Sequence, residues 1–217
     1  MKHIKQVVWD WNGTLLNDLD VSMDALNVIL RKESLPTVHD KEEYRKYFQF
    51  PVIEYYKKVG FDFEKTPFSV LAEEYMRYYQ PHSLHCQLHE GVEETLDSLN
   101  HKGIDQYLLS ASNLPFLHEQ LAQYDIEKYF RQVCGLDNIH AHSKAHLAKE
   151  FVRESGFHPD ETVFVGDSVH DSEVAHGAGC RCILIANGHE HKKKLTQTGC
   201  VVVDTIQECR ELLLSKC

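Results

Sequence analysis

Asp10, Asn12, Gly13 and Thr14 follow directly on the apolar run Val7-Val8-Trp9. A short continuous apolar run bounded by turn residues predicts a strand buried on both faces. A carboxylate, an amide and a hydroxyl therefore stand at a strand's carboxyl end, where open parallel sheets bind their ligands. Gly13 permits a tight turn of the backbone around a bound group. Two further strand ends carry polar side chains: Ser110 with Asn113, and Asp167 with Asp171. Lys144 opens the helix that precedes the third of these strands. Two acids from different strands, with backbone oxygen nearby, suit Mg2+, which takes a few carboxylates and completes its octahedron with water and phosphate oxygens. The Thr14 hydroxyl and backbone N–H groups at a strand-to-helix turn suit a phosphate, and a lysine suits it as a mobile point charge. Asp10 is then a carboxylate able to attack phosphorus and form an aspartyl-phosphate.

Positioning these groups requires a sheet whose strands all end on one edge. The spacing predicts strands at 7–9, 107–109, 132–134, 162–165, 182–185 and 201–203, alternating with helices at 91–102, 114–124, 144–155, 170–178 and 205–215. Such alternation implies right-handed βαβ units and an α/β, Rossmann-like parallel sheet with both faces covered. A different texture interrupts it. Residues 19–33, 39–48, 51–59 and 66–79 read as helices, rich in Tyr and Phe, with no convincing strand. We expect an α/β core from residues 1–17 and 82–217, and an all-helical insertion over 18–81.

The formal net charge of -10, with no basic run longer than Lys192–Lys194, argues against nucleic acid or an anionic membrane as the main partner. An anionic small molecule would need a local attraction, best supplied by a metal. No apolar run approaches membrane-spanning length, and the N-terminus leads straight into a strand without a signal-peptide core. Seven cysteines without paired spacing fit a reduced cytoplasm, and Cys180 and Cys182 read as core residues.

Four of these stretches, taken in order, resemble the motifs of the haloacid dehalogenase superfamily, and the resemblance covers essentially the whole chain. Asp10 to Thr14 matches Asp-x-Asp-Gly-Thr except at one position, Ser110 matches the strand-ending hydroxyl, Lys144 the lysine, and Gly166 to Asp171 the closing acidic motif. Lys149 is a poorer match for the lysine because its spacing is shorter. The resemblance implies a Mg2+-dependent phosphatase for a small phosphorylated metabolite, phosphoglycolate being the default of the subgroup with a small helical cap. It implies Asp10 as nucleophile and metal ligand, the Asn12 backbone carbonyl and Asp167 as further ligands, and Asp171 as an anchor of the metal site. Ser110 and Lys144 would hold the transferring phosphoryl group, Thr14, Ala111 and Asn113 would line its pocket, and Arg45 or Gln49 of the cap would meet the leaving group.

Asn12 departs from the family pattern, because phosphatases of this kind carry an aspartate there to protonate the leaving oxygen. An amide is not a useful acid or base at neutral pH, and such assistance is typically worth about 10²–10⁴ in rate. Four readings stay open: a slow enzyme or a substrate with a good leaving group, a proton from elsewhere (His170 among fifteen histidines), dehalogenase or phosphonatase chemistry with Lys46, Lys57 or Lys58 as a Schiff base, or partial deamidation of Asn12-Gly13. A phospho-accepting module is a further class, disfavoured because its acidic pair would precede the phosphorylated aspartate. His142 with His146, and His82, His85 and His89, read as solvated positions. Ser112 competes with Ser110, and Asp171 could also cap its helix.

Overall fold

Gln6–Trp9 (β1) is buried at every position, as its unbroken apolar pattern requires. A computed structural model describes residues 3–136, 144–156 and 158–215. In it β1 lies at the centre of a six-stranded sheet. Its neighbours are Asp105–Asn113 (β4) on one side and Thr162–Gly166 (β6) on the other, both parallel to it. Beyond β4 lies Gln132–Leu136 (β5), and beyond β6 lie Arg181–Ile185 (β7) and Val201–Val203 (β8), giving the order β5-β4-β1-β6-β7-β8. The chain leaves β1 for β4 on one side and reaches β6 on the other, so Asp10 emerges at the point where the strand order reverses. That crevice is where such sheets hold ligands.

Val92–His101 (α5), Leu114–Leu121 (α6), Lys144–Ser155 (α7), Val169–Gly177 (α8) and Ile206–Leu214 (α10) accompany the sheet. A short helix, Lys192–Leu195 (α9), precedes β8. One apolar cluster joins Val7, Trp9, Leu96, Leu108 and Leu213, and another on the opposite face joins Val8, Leu109, Phe151, Phe164 and Leu184. The alternating sides of β1 thus feed two cores, as the pleat dictates. The α/β parallel architecture expected from the sequence is present.

The inserted segment holds four helices, Leu19–Lys32 (α1), Lys41–Tyr47 (α2), Val52–Lys58 (α3) and Phe68–Ser83 (α4), packed around Leu26, Ile29, Tyr44, Tyr55 and Leu71. α4 continues past the expected end at Tyr79, through Pro81, to Ser83. Proline removes one backbone donor in the last turn, and the buried Ser83 hydroxyl fixes that turn by donating to Gln80 O and accepting from Gln120 Nε2. Both chain crossings between the helical segment and the sheet run through a two-strand ribbon, Leu16–Asn17 (β2) against Gln87–Leu88 (β3), antiparallel. Two residues are too few for any sequence period to reveal it. No helix among the described residues is long and apolar enough to cross a membrane.

Candidate active site

The turn after β1 places Asp10 against the ends of β6 and α7. Lys144 Nζ donates to Asp10 Oδ1 and, at 2.6 Å, to Asp171 Oδ1. Thr14 Oγ1 lies 3.1 Å from both Asp10 Oδ2 and Asp167 Oδ1. Asp171 also works as the third residue of a reciprocal cap on α8: its Oδ2 accepts from the Ser168 backbone N–H at 3.0 Å, while Ser168 Oγ accepts from Asp171 N. Its carboxylate therefore serves the helix with one oxygen and Lys144 with the other. Gly13 sits at φ +74°, and a Cβ there would come within 2.4 Å of Asp167 Oδ2. Only glycine lets the backbone pass so near that carboxylate.

Oxygens of Asp10, Asp167 and Asp171 lie within 4.8 Å of one another. Burial raises the Asp10 pKa; Lys144 counters it and Asp171 adds to it, leaving the group above the usual carboxylate range. Asp167 is pushed up likewise by burial and by the facing carboxylates, against the pull of His189. Asp171 is held low despite burial, because Lys144 and the Ser168 donors favour its anion. Burial alone would lower Lys144, but its two carboxylate partners raise it, so it stays charged. Once all three carboxylates are ionised, one ammonium against them leaves two negative charges. Hard oxygen donors with that excess fit a divalent cation such as Mg2+.

Beside this cluster lies a second buried network that the motifs did not reveal. Asn12 Oδ1 accepts from Ser112 Oγ at 2.8 Å, and its amide nitrogen donates to Tyr79 OH at 2.6 Å and Asp18 Oδ2 at 3.1 Å. Asp18 also accepts from Gly13 N (2.8 Å), Tyr79 OH (2.5 Å) and His189 Nε2 (3.0 Å). Burial would raise its pKa, but the His189 charge and these donors hold it below the usual range. Burial likewise opposes the His189 charge, yet Asp18 and Asp167 push that imidazole up to about 9. Its other nitrogen, Nδ1, is 3.1 Å from Tyr44 OH, so an imidazolium donates at both ends. An anion at Asp18 needs a donor opposite it, which accounts for an amide at position 12. Asp18 occupies the N-cap position of α1 yet makes no side-chain cap bond there.

The structure redistributes several sequence assignments. Ser110 is buried, and its Oγ accepts from Ser112 N at 3.0 Å; Ser112, Ala111 and Asn113 line the cavity in its place. The expectation at Ser110 is corrected to Ser112, because the β4 register shifts between Leu109 and Asn113 and turns the later hydroxyl outward. Arg45 does not face the cavity. Its guanidinium donates to the Gly188 carbonyl at 2.9 Å and the Asn187 carbonyl at 3.0 Å, fastening α2 to the loop after β7. Gln49 accepts from Lys58 within the helical segment and lies outside the cavity lining. Lys46 and Lys57 are exposed, and none of the three lysines considered for imine chemistry lines the cavity. His170 does, with its ring stacked on Phe50 at 4.8 Å. His89 is buttressing: Nε2 meets Gly13 O at 3.1 Å, Nδ1 meets Asn187 Nδ2 at 3.2 Å, and burial lowers its pKa. Lys149 is exposed, and His142 lies outside the described residues.

The sequence profile of the haloacid dehalogenase-like hydrolases matches residues 7–185. The chain belongs to that family. Among curated relatives it is 28% identical over 207 residues to a phosphoglycolate phosphatase of Haemophilus influenzae, covering 89% of this chain and 91% of that one. It is 29% identical to phosphoglycolate phosphatase 1 of Pseudomonas aeruginosa over 63% of this chain, a match that spans about half (49%) of that relative's length. Among solved structures, a Clostridium acetobutylicum protein described as a predicted phosphatase superposes with a TM-score of 0.83 at 19% identity, covering 99% of this chain and 100% of that one. A predicted phosphoglycolate phosphatase of Haemophilus somnus gives 0.79 at 19% identity, over 98% and 99% of the two chains. At such identities the structures establish the shared fold.

Proposed function

We propose that this protein is a Mg2+-dependent phosphatase that hydrolyses a phosphate monoester of a small molecule through an aspartyl-phosphate on Asp10. The observation that carries the reading is the convergence of Asp10, Asp167, Asp171 and Lys144 at the switch point of the sheet, beneath a cavity of about 380 Å3. Family membership supports it, as does the kinship with phosphoglycolate phosphatases. Asp10, Asp167 and the Asn12 backbone carbonyl would hold the metal, with Asp171 in reach. The ion would supply charge for the phosphate and orient it. Lys144 would neutralise charge on the phosphoryl oxygens while Ser112 Oγ and nearby backbone N–H groups hold them. Residues 1–17 and 82–217 form the catalytic core in this reading, and 18–81 a cap over it. Phosphate release from a panel of phosphorylated metabolites with Mg2+, and none from the Asp10→Asn variant, would test it.

Because burial keeps Asp10 and Asp167 above the usual carboxylate range, metal must displace protons to bind. Affinity should rise with pH as these groups ionise, and calorimetry in buffers of different ionisation enthalpy should register proton release. At about a hundred times its dissociation constant, Mg2+ should stabilise the fold by about 2.7 kcal/mol, raising Tm by about 5–11 °C for a chain of this size. Unchanged Tm at saturating Mg2+ would contradict the assignment of the carboxylate cluster.

Changing Asn12 to Asp should have two effects of opposite sign. Two carboxylates would then face each other where the amide now donates to Asp18 at 3.1 Å, lowering stability by about 1–3 kcal/mol. The same crowding makes the pair share a proton, and an acid beside the leaving oxygen should accelerate alkyl phosphates by about 10²-fold. Thermal melts and initial rates on glycerol phosphate would read both; unchanged alkyl rates would mean that proton delivery does not limit turnover.

A further inference from the structure

Above the carboxylates the cavity wall is aromatic and aliphatic. Phe48 and Phe50 enter from the loop after α2, Tyr75 and Met76 from α4, Phe116 from α6, and Leu136 from the end of β5. The rings form two groups: Phe48 and Phe50 meet edge-on at 5.6 Å, while Tyr75 stacks on Tyr79 at 5.7 Å and Tyr79 meets Phe116 at 6.4 Å. A volume near 380 Å3 lies in the lower range of small-molecule sites, about 300–1,000 Å3.

The cations around this chamber are committed. Lys144 is the one lysine or arginine among the described lining residues, and it is held by Asp10 and Asp171. His189 is bonded to Asp18 and Tyr44, and Arg45 to the carbonyls of Asn187 and Gly188. The imidazole of His170, which also lines the chamber, is 3.5 Å from Glu173. A substrate carboxylate entering here would lose its water without gaining an uncommitted lysine or arginine, which is costly. An aromatic ring would gain offset-stacked and edge-to-face contacts, each worth about 0.5–1.5 kcal/mol beyond burial.

Independently of the wall, the position that would face the departing oxygen offers no carboxylic acid. Asn12 is an amide, and the carboxylate bonded to it, Asp18, is fixed as an acceptor by Gly13, Tyr79, Asn12 and His189. A leaving group that needs no proton must be weakly basic. Phenols ionise near pH 10, whereas water, as a guide to simple alkoxides, does so near 15.7.

We infer that the site is built for phosphate monoesters of aromatic hydroxyl compounds, aryl phosphates, and disfavours phosphoglycolate. The inference rests on the phosphatase reading given above. An Asp10 oxygen forms a bond to phosphorus while the P–O(aryl) bond breaks. Its electron pair leaves on the aryloxide, which takes a proton from solvent. Water then attacks phosphorus, frees Asp10, and gives its protons to the released phosphate and solvent.

The test is a Mg2+-containing panel of phenyl phosphate, benzyl phosphate, 2-phosphoglycolate and glycerol phosphate, with calorimetric binding of phenylphosphonate and phosphonoacetate alongside. We expect kcat/KM for phenyl phosphate to exceed that for phosphoglycolate by about tenfold or more, a discrimination within reach of apolar contact plus an unpaired carboxylate. Benzyl phosphate should share the KM of phenyl phosphate but turn over more slowly, and phenylphosphonate should bind more tightly than phosphonoacetate. Met76→Arg, which sets a cation in the chamber, should shift preference towards phosphoglycolate. Phosphoglycolate turned over as well as or better than phenyl phosphate would overturn the inference and leave the phosphatase reading standing. No turnover of any ester would end both.

Discussion

Asp10→Asn should abolish phosphate release, by about 10⁴-fold or more, the scale on which removal of a covalent nucleophile acts. The substitution is nearly isosteric, and the surroundings allow it. Thr14 Oγ1 keeps Asp167 as a partner at 3.1 Å, and Lys144 keeps Asp171 at 2.6 Å. One of the facing carboxylates that raise the Asp167 pKa disappears, so the folded state should lose nothing and melt at or slightly above the wild-type temperature. A chemical loss without a structural one separates a nucleophile from a structural carboxylate. Acid quenching during turnover should recover an acyl-phosphate on the wild-type chain and none on the variant. Activity within about tenfold of wild type would remove Asp10 from the chemistry.

Wild-type behaviour should then depend on which step is slow. Asn12 can assist neither departure of the alcohol nor attack of water on the aspartyl-phosphate, because an amide exchanges no proton at neutral pH. For an aryl ester only the second step suffers, since the leaving group needs little help. For an alkyl ester both do. The side chain at 12 is thus a discriminator between substrates as much as a deficit, and the amide at that position and the aromatic chamber favour the same compounds.

How far the sequence foretold this site follows from the range of the interactions involved. The strand ends were legible because apolar runs such as Val7–Trp9 and Val163–Val165 stop abruptly at polar residues. Parallel topology then carries Asp10 and Asp167 to one edge. Lys144 was legible because a helix start just before β6 must return to that edge, and its contacts to Asp10 and Asp171 accord with that placement. Ser112 was not distinguishable from Ser110, since a regular strand sets both on one face and only the register shift in β4 parts them. His189 was invisible for another reason. Its partner Asp18 is 171 residues away, and neither stands in a motif. Arg45 and Gln49 were misplaced because the direction of an α2 side chain depends on how the helical segment sits on the loop after β7.

That docking supplies the second large effect. Asp18 and His189 form an ion pair at 3.0 Å with side chains 1% and 7% exposed. It ties the start of α1 to the loop after β7, with Tyr79 of α4 and Tyr44 of α2 bonded to its two ends. Removing one member of a buried pair strands the other, at a cost of about 3–5 kcal/mol. Asp18→Ala should therefore lower Tm by about 6–20 °C in a chain of this length. The pH dependence has a definite sign. His189 is raised to about 9 from an ordinary value of 6.5, so its contribution is complete below pH 6.5 and fades as pH climbs through 9. Asp18 is lowered from 3.8, so its contribution is complete above that value and is lost as pH falls below it. The wild-type advantage in Tm over Asp18→Ala should peak between about pH 4.5 and 6.5 and shrink towards pH 9. Hydrogen exchange should show α1 and α4 opening first in the variant, since the pair is their bond to the sheet. A wild-type advantage that does not shrink between pH 7 and 9 would mean that His189 is neutral in the fold and that the loop is held by the Arg45 bonds to Gly188 and Asn187 and by packing against Phe48 and Tyr44.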